Sequence, residues 1–118
     1  MPKLTIVDHG TYEVPAGTRL VNAIEDQGIH ILHRCGGYAK CTTCRVEFVD
    51  GEPGQITEAE QTRWKDDREP GLRLSCQMTI ETDMTVKVLN TLESTGLDSA
   101  GDRPQDEITP DPQWIEIQ

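Results

Sequence analysis

Every cysteine in the chain falls into one pattern: Cys35, five residues, Cys41, two residues, Cys44, thirty-one residues, Cys76. Three thiols within ten residues, joined by a fourth from a distant segment, can converge on an inorganic centre if the loop between them wraps tightly. That loop, Gly36-Gly37-Tyr38-Ala39-Lys40, opens on two glycines. Glycine accepts positive φ and close backbone approach, so amide N–H groups can point inward at sulfur. Thr42 and Thr43 add hydroxyl donors in the same stretch. Such donors stabilise negative charge on sulfur and are one lever on a redox potential.

Four cysteines also admit plainer uses. Structural disulfides belong to oxidising compartments, and residues Met1 to Asp8 carry neither the apolar core nor the small-residue cleavage site of a secretion signal, so the expected setting is the reducing cytoplasm. Zinc takes four thiolates tetrahedrally, but structural zinc usually draws on two close cysteine pairs, and only Cys41 and Cys44 form one here. A dithiol redox site built on Cys41-Thr42-Thr43-Cys44 leaves Cys35 and Cys76 without work. It also wants a helix where Arg45 to Val49 alternates as a strand.

The rest of the chain reads as short strands of period two. Leu4 and Ile6 flank Thr5, and after the turn signal Asp8-His9-Gly10 the run Thr11 to Val14 completes a hairpin. Val46 and Phe48, Met78 and Ile80, and Met84, Val86 and Val88 alternate with polar residues, which predicts a small sheet with one wet face. Between hairpin and cysteines the sequence predicts a helix capped by Thr18, with Leu20, Val21 and Ile24 on its apolar face and Gly28 as its stop. Thr57-Glu58-Ala59-Glu60 is a capping-box pattern for a second helix. Its apolar face is thin, Ile56, Ala59 and Trp64, so it is expected to lie exposed on one side.

The segment Cys35 to Val46, with Leu74-Ser75-Cys76-Gln77, resembles the [2Fe-2S] ferredoxins of the beta-grasp family over about residues 3–90. Plant-type members have four residues between the first two cysteines. The five found here are as in adrenodoxin-like and several bacterial ferredoxins. The resemblance implies an α+β beta-grasp fold, a small mixed sheet covered by a helix, with residues 1–90 as the cluster domain and 91–118 as an acidic C-terminal extension. It implies a [2Fe-2S] cluster, Cys35 and Cys41 binding the iron nearer the surface and Cys44 and Cys76 the inner one, with the outer iron taking the electron. It also implies a low-potential one-electron carrier that turns over no substrate. As a monomer, such a carrier docks transiently to a ferredoxin reductase and then to an acceptor enzyme. A zinc-stabilised interaction module and an iron-sulfur redox sensor stand beside this reading.

Four-cysteine ligation in a plant-type environment gives a potential of about -400 mV, and two histidine ligands raise it by hundreds of millivolts. Four thiols complete the coordination, so His30 and His33 read as structural or surface residues. Arg34, Lys40 and Arg45 can offset cluster charge, or are ordinary solvated bases. Tyr38 and Ala39, at the loop tip, are candidate partner contacts, with Tyr38 equally readable as a partly buried anchor of the loop. The resemblance to adrenodoxin-like ferredoxins implies an acidic recognition face in the stretch between the third and fourth cysteines, which holds Glu58, Glu60, Asp66, Asp67 and Glu69; Arg63, Lys65 and Arg68 dilute it, and by charge alone it reads as a solvated face.

A net charge of -10 repels phosphate backbones and anionic lipid, which argues against nucleic-acid binding. No apolar run approaches the about 18 residues of a membrane span. Residues 91–118 carry seven acids and one base, so this quarter of the chain holds over half of the excess. It can be disordered, fold back through Trp114, Ile115 and Ile117, or bind a partner.

Overall fold

The computed structural model describes residues 1–32, 44–64, 71–91, 96, 104–108 and 112–116. Alternation builds the centre of the fold. Strand β1 (Lys3–Ile6) turns back on β2 (Gly10–Glu13) through Asp8, whose φ of 69° makes the tight reversal. Leu4 and Ile6 are buried, and on the other face the Thr5 and Thr11 hydroxyls meet at 2.9 Å. Parallel to β1 runs β8 (Met84–Val88), in register Leu4 with Met84 and Ile6 with Val86. Strand β4 (Arg45–Asp50) then pairs antiparallel with β8, and β6 (Leu72–Leu74) with β4, giving the five-stranded order β2-β1-β8-β4-β6. Glu47 faces Lys87 on the solvent side of this mixed sheet. The register shifts between Phe48 and Asp50, and the chain leaves through Gly51, φ 79°, where a β-carbon would stand 2.5 Å from the Asp83 carbonyl oxygen.

Met78 and Ile80 are buried as their alternation predicts, but they lie outside this sheet. Strand β7 (Thr79–Ile80) pairs instead with β3 (Thr18–Arg19) in a two-stranded ribbon. That pairing overturns the expected helix cap. Thr18 is in the ribbon with its hydroxyl donating to Pro15 O, so α1 (Leu20–Asp26) starts after Arg19 with no side-chain cap. Gly28, φ 85°, stops the helix as expected. Leu20 to Ile24 are all buried, wider than one amphipathic face, because residues 104–108 cover the outer side. There Asn22 Nδ2 donates to Pro104 O and Gln105 O, each at 3.1 Å.

Strand β5 (Gln55–Thr57) leads into α2 (Glu58–Trp64), where half of the capping box forms: Glu60 N–H donates to Thr57 Oγ1 at 3.1 Å. The Glu60 carboxylate does not return to the cap. It is fully buried, accepting from Trp64 Nε1 (3.0 Å), Arg73 Nε (3.0 Å) and Leu74 N (2.8 Å). Helix α2 thus turns an ion pair inward where its sequence predicts a thin apolar face. Arg73, also fully buried, donates further to Gln55 O (2.8 Å) and Pro53 O (3.1 Å), clasping α2 and the β4–β5 connection to β6.

For the tail, fold-back holds among the described residues through Ile115, which packs against the core, but not through Trp114, which stays 41% exposed. Strand β9 (Trp114–Glu116) pairs antiparallel with β5, Ile115 opposite Ile56, and Ile108 is buried. Ile117 lies outside the described residues. No helix among the described residues is long and apolar enough to cross a membrane.

Removing one partner of a buried, hydrogen-bonded ion pair strands the other charge, at a cost of about 3–5 kcal/mol. Arg73→Leu is expected to lose about that much stability in chemical unfolding. Arg73→Leu combined with Glu60→Leu should lose less than the two single changes summed, since neither buried charge is left behind and Glu52, 3.4 Å from Arg73 Nη1, keeps access to solvent.

Candidate metal centre

Strand pairing alone brings two of the four cysteines together. Cys44 directly precedes β4, and Cys76 sits in a 3-10 turn, Ser75–Gln77, that directly follows β6. Arg45 stands opposite Leu74 in the β4–β6 register, so one step further Cys44 meets the Ser75–Cys76 turn. Ser75 locks the junction: its N–H and its Oγ–H donate to Cys44 O at 3.2 and 2.7 Å. Both cysteines are free thiols, exposed by only 2% and 0%. The strand that follows Cys44 is the one its alternation predicts, not the helix of a dithiol redox site.

Buried polar groups hold the Cys76 turn from three sides. Arg19, fully buried, donates from Nε to Cys76 O at 2.7 Å and from Nη1 to Gln105 O and Glu107 O at 2.8 and 3.1 Å, bridging the turn to the tail. Glu60 takes the Leu74 amide two residues before Cys76. Gln77, fully buried, donates from Nε2 to Cys76 Sγ at 3.6 Å. Of these, Arg19, like Arg73 in the fold, carries no mark in the sequence that separates it from a solvated side chain, and Gln77 is marked only as part of the Leu74-Ser75-Cys76-Gln77 segment, with nothing to show which way its amide turns. The capping-box signal found Glu60 but assigned its carboxylate to the helix end.

Cys35 and Cys41 lie outside the described residues, as do His33, Arg34, Tyr38, Ala39, Lys40, Thr42, Thr43, Lys65, Asp66, Asp67, Arg68 and Glu69. His30 is exposed. Arg45 lies over the Trp64 ring, 5.4 Å from its centroid, which gives this base a cation-π contact. Glu60 cannot belong to an acidic recognition face, because its carboxylate is wholly inside, whereas Glu58 is exposed.

The Cys76 thiol held against it, together with burial, pushes the Cys44 thiol well above its ordinary range. Two neutral thiols packed this way make a poor site for a free thiolate and a good one for a cation, because coordination removes the thiol proton outright. Soft thiolate donors suit iron-sulfur clusters and zinc, so this pair fits either. Among the described residues no third His, Cys, Asp or Glu joins them.

The raised thiol makes a pH prediction for the metal-free, reduced chain. A group whose folded value lies above its unfolded value holds its proton in the folded state after the unfolded state has released it. Stability should therefore be level below about 8.5, the ordinary thiol value, and fall as pH rises beyond it. Melting curves between pH 7 and 10 test this, and Cys44→Ala should flatten the alkaline limb.

The family model of the 2Fe-2S iron-sulfur cluster binding domain matches residues 6–81. One component of the Na(+)-translocating NADH-quinone reductase of Neisseria gonorrhoeae is 38% identical over 87 residues, covering 72% of this chain and 21% of that protein. The chain thus spans about a fifth of the length of the curated relatives it matches. Among solved structures, the ISC-like [2Fe-2S] ferredoxin of Pseudomonas putida JCM 20004 superposes with a TM-score of 0.64 at 27% identity, over 75% of this chain and 93% of that one. Putidaredoxin's covalent complex with putidaredoxin reductase provides another, at 0.58 and 29%, over 73% and 96%. The mixed sheet with its packed helix is the beta-grasp arrangement of these ferredoxins. The chain belongs to the 2Fe-2S iron-sulfur cluster binding domain family, beta-grasp electron-carrying domains whose cofactor is a [2Fe-2S] cluster.

Proposed function

We propose that residues 1–90 form a cytoplasmic, low-potential one-electron carrier whose [2Fe-2S] cluster is held by Cys35, Cys41, Cys44 and Cys76, with residues 91–118 as an acidic C-terminal extension. The observation that carries this reading is the meeting of buried Cys44 and Cys76 at the β4–β6 end of the sheet, two sulfur donors from opposite halves of the family's cysteine pattern. Their burial supports their assignment to the inner iron. When bound, the cluster supplies a one-electron couple. The chain's own residues fix the sulfurs and keep water away from the inner pair: Ser75 and Arg19 hold the backbone at both cysteines, and Gln77 offers an N–H to sulfur.

The carrier turns over no substrate itself and acts as a monomer. It takes electrons from a reductase and passes them to an acceptor enzyme through transient contacts. Support for a reductase partner comes from putidaredoxin, which was solved bound to one. A cluster with four thiolates adds about two negative charges to a chain already at -10, so docking is steered by its negative field and weakens with salt. The same domain can equally be one module of a longer reductase, as in the relatives of which it covers about a fifth.

Replacing each cysteine in turn by serine tests the ligand set. Cys35→Ser, Cys41→Ser, Cys44→Ser and Cys76→Ser should each reduce iron and acid-labile sulfide to less than about a tenth of wild type, since soft iron-sulfur centres select thiolate. Wild-type iron and sulfide in any one of the four removes that residue from the set.

A further inference from the structure

Cys76 Sγ receives an N–H from a side chain whose own orientation is fixed from behind. Gln77 is fully buried, its Nε2 3.6 Å from Cys76 Sγ and its Oε1 2.7 Å from Thr57 Oγ1. Thr57, equally buried, accepts Glu60 N–H at 3.1 Å as the cap of α2, which leaves its hydroxyl hydrogen to donate to Gln77 Oε1. A side-chain amide has one accepting and one donating end. With the accepting end bonded to Thr57, the donating end faces sulfur. The reverse orientation would set a carbonyl oxygen against a thiolate. Thr57 is itself pinned by the tail: it pairs with Trp114 in the β5–β9 register, and Glu58 N–H donates to Gln113 O at 2.9 Å.

We infer that Gln77 is a positioning residue that sets the potential of the centre, presenting an N–H to the Cys76 sulfur in an orientation imposed by the Thr57 hydroxyl. The inference rests on the reading of Cys76 as a cluster ligand. Reduction adds one electron to the centre and makes or breaks no bond at Gln77, whose proton stays on Nε2. A hydrogen bond to sulfur favours the more negative, reduced form, so this N–H raises the potential. Burial makes the contribution larger than it would be in water.

The test is an anaerobic redox titration of the cluster-loaded chain with Gln77→Met, which keeps length and loses the donor, alongside Thr57→Val and Thr57→Ser. At a fixed applied potential the reduced-to-oxidised ratio in Gln77→Met should fall about 3- to 10-fold, roughly 28 to 59 mV for a one-electron couple. Thr57→Val should shift it in the same direction by less, Thr57→Ser should leave it near wild type, and Gln77→Met with Thr57→Val should fall no further than Gln77→Met alone. The iron-thiolate stretching band in resonance Raman spectra should move with the ratio. Simple loosening of the site would admit water and raise the potential, the opposite sign.

An unmoved or raised ratio in Gln77→Met overturns the inference. If that variant assembles no cluster, Thr57→Val against Thr57→Ser decides by the same rule, and equal ratios in those two overturn it. Wild-type iron content in Cys76→Ser would instead remove the reading beneath the inference.

Discussion

The antiparallel pairing of β4 with β6 is the constraint on which the rest depends. Cys44 and Cys76 are separated by thirty-one residues in sequence, and nothing local to either brings them together. The ladder does, by setting Arg45 opposite Leu74 and letting the chain run on by a residue or two at each end. Because side chains alternate along a strand, a slip of one residue would carry the apolar faces out of the core. The buried Val46 and Leu74 therefore protect the cysteine register as well as the core. Sheet energetics and site geometry are specified by the same residues.

Around that pairing the protein uses charge where apolar packing alone would leave freedom. With five aromatic residues in 118, the chain has few large groups with which to wedge its elements apart at fixed distances. Arg19 and Arg73 take that place. Each is fully buried and donates to backbone carbonyls of segments distant in sequence, Arg73 holding the Glu60 carboxylate as well. Arg19 joins the Cys76 turn to residues 105–107, and Arg73 joins β6 to the turn before β5. A planar fork with five donors suits such multi-segment contacts in a way that a lysine does not. Both arginines bear on the segment that carries Cys76, which places the most directional interactions of the fold next to its most demanding geometry.

How much of this was legible follows from what periodicity can see. The hairpin of β1 and β2 and the strands β4 and β8 stood out because one face is dry and the other wet, and Leu4, Ile6, Val46 and Val86 mark the dry one. Pairing partners were not legible: Met78 and Ile80 alternate as well as any strand, yet β7 joins β3 in a separate ribbon. Thr18 has the propensity of a cap, but backbone pairing with Ile80 claims it first. Glu60, Arg73 and Arg19 were unreadable for a shared reason. A pattern that assigns charged residues to solvent cannot distinguish a solvated charge from one whose every polar atom is met inside. Cys44 and Cys76 were legible as candidates through spacing, and their convergence became visible only in the register of two strands.

An electron paramagnetic resonance-monitored redox titration of the purified, anaerobically handled chain tests the central claim most directly. A bound cluster predicts a signal absent when oxidised, growing in a single one-electron step at a low potential, at or somewhat above the plant-type value of about -400 mV, and integrating to one spin for every two irons. A folded chain that carries zinc, or no metal, and stays silent throughout the titration would contradict the account.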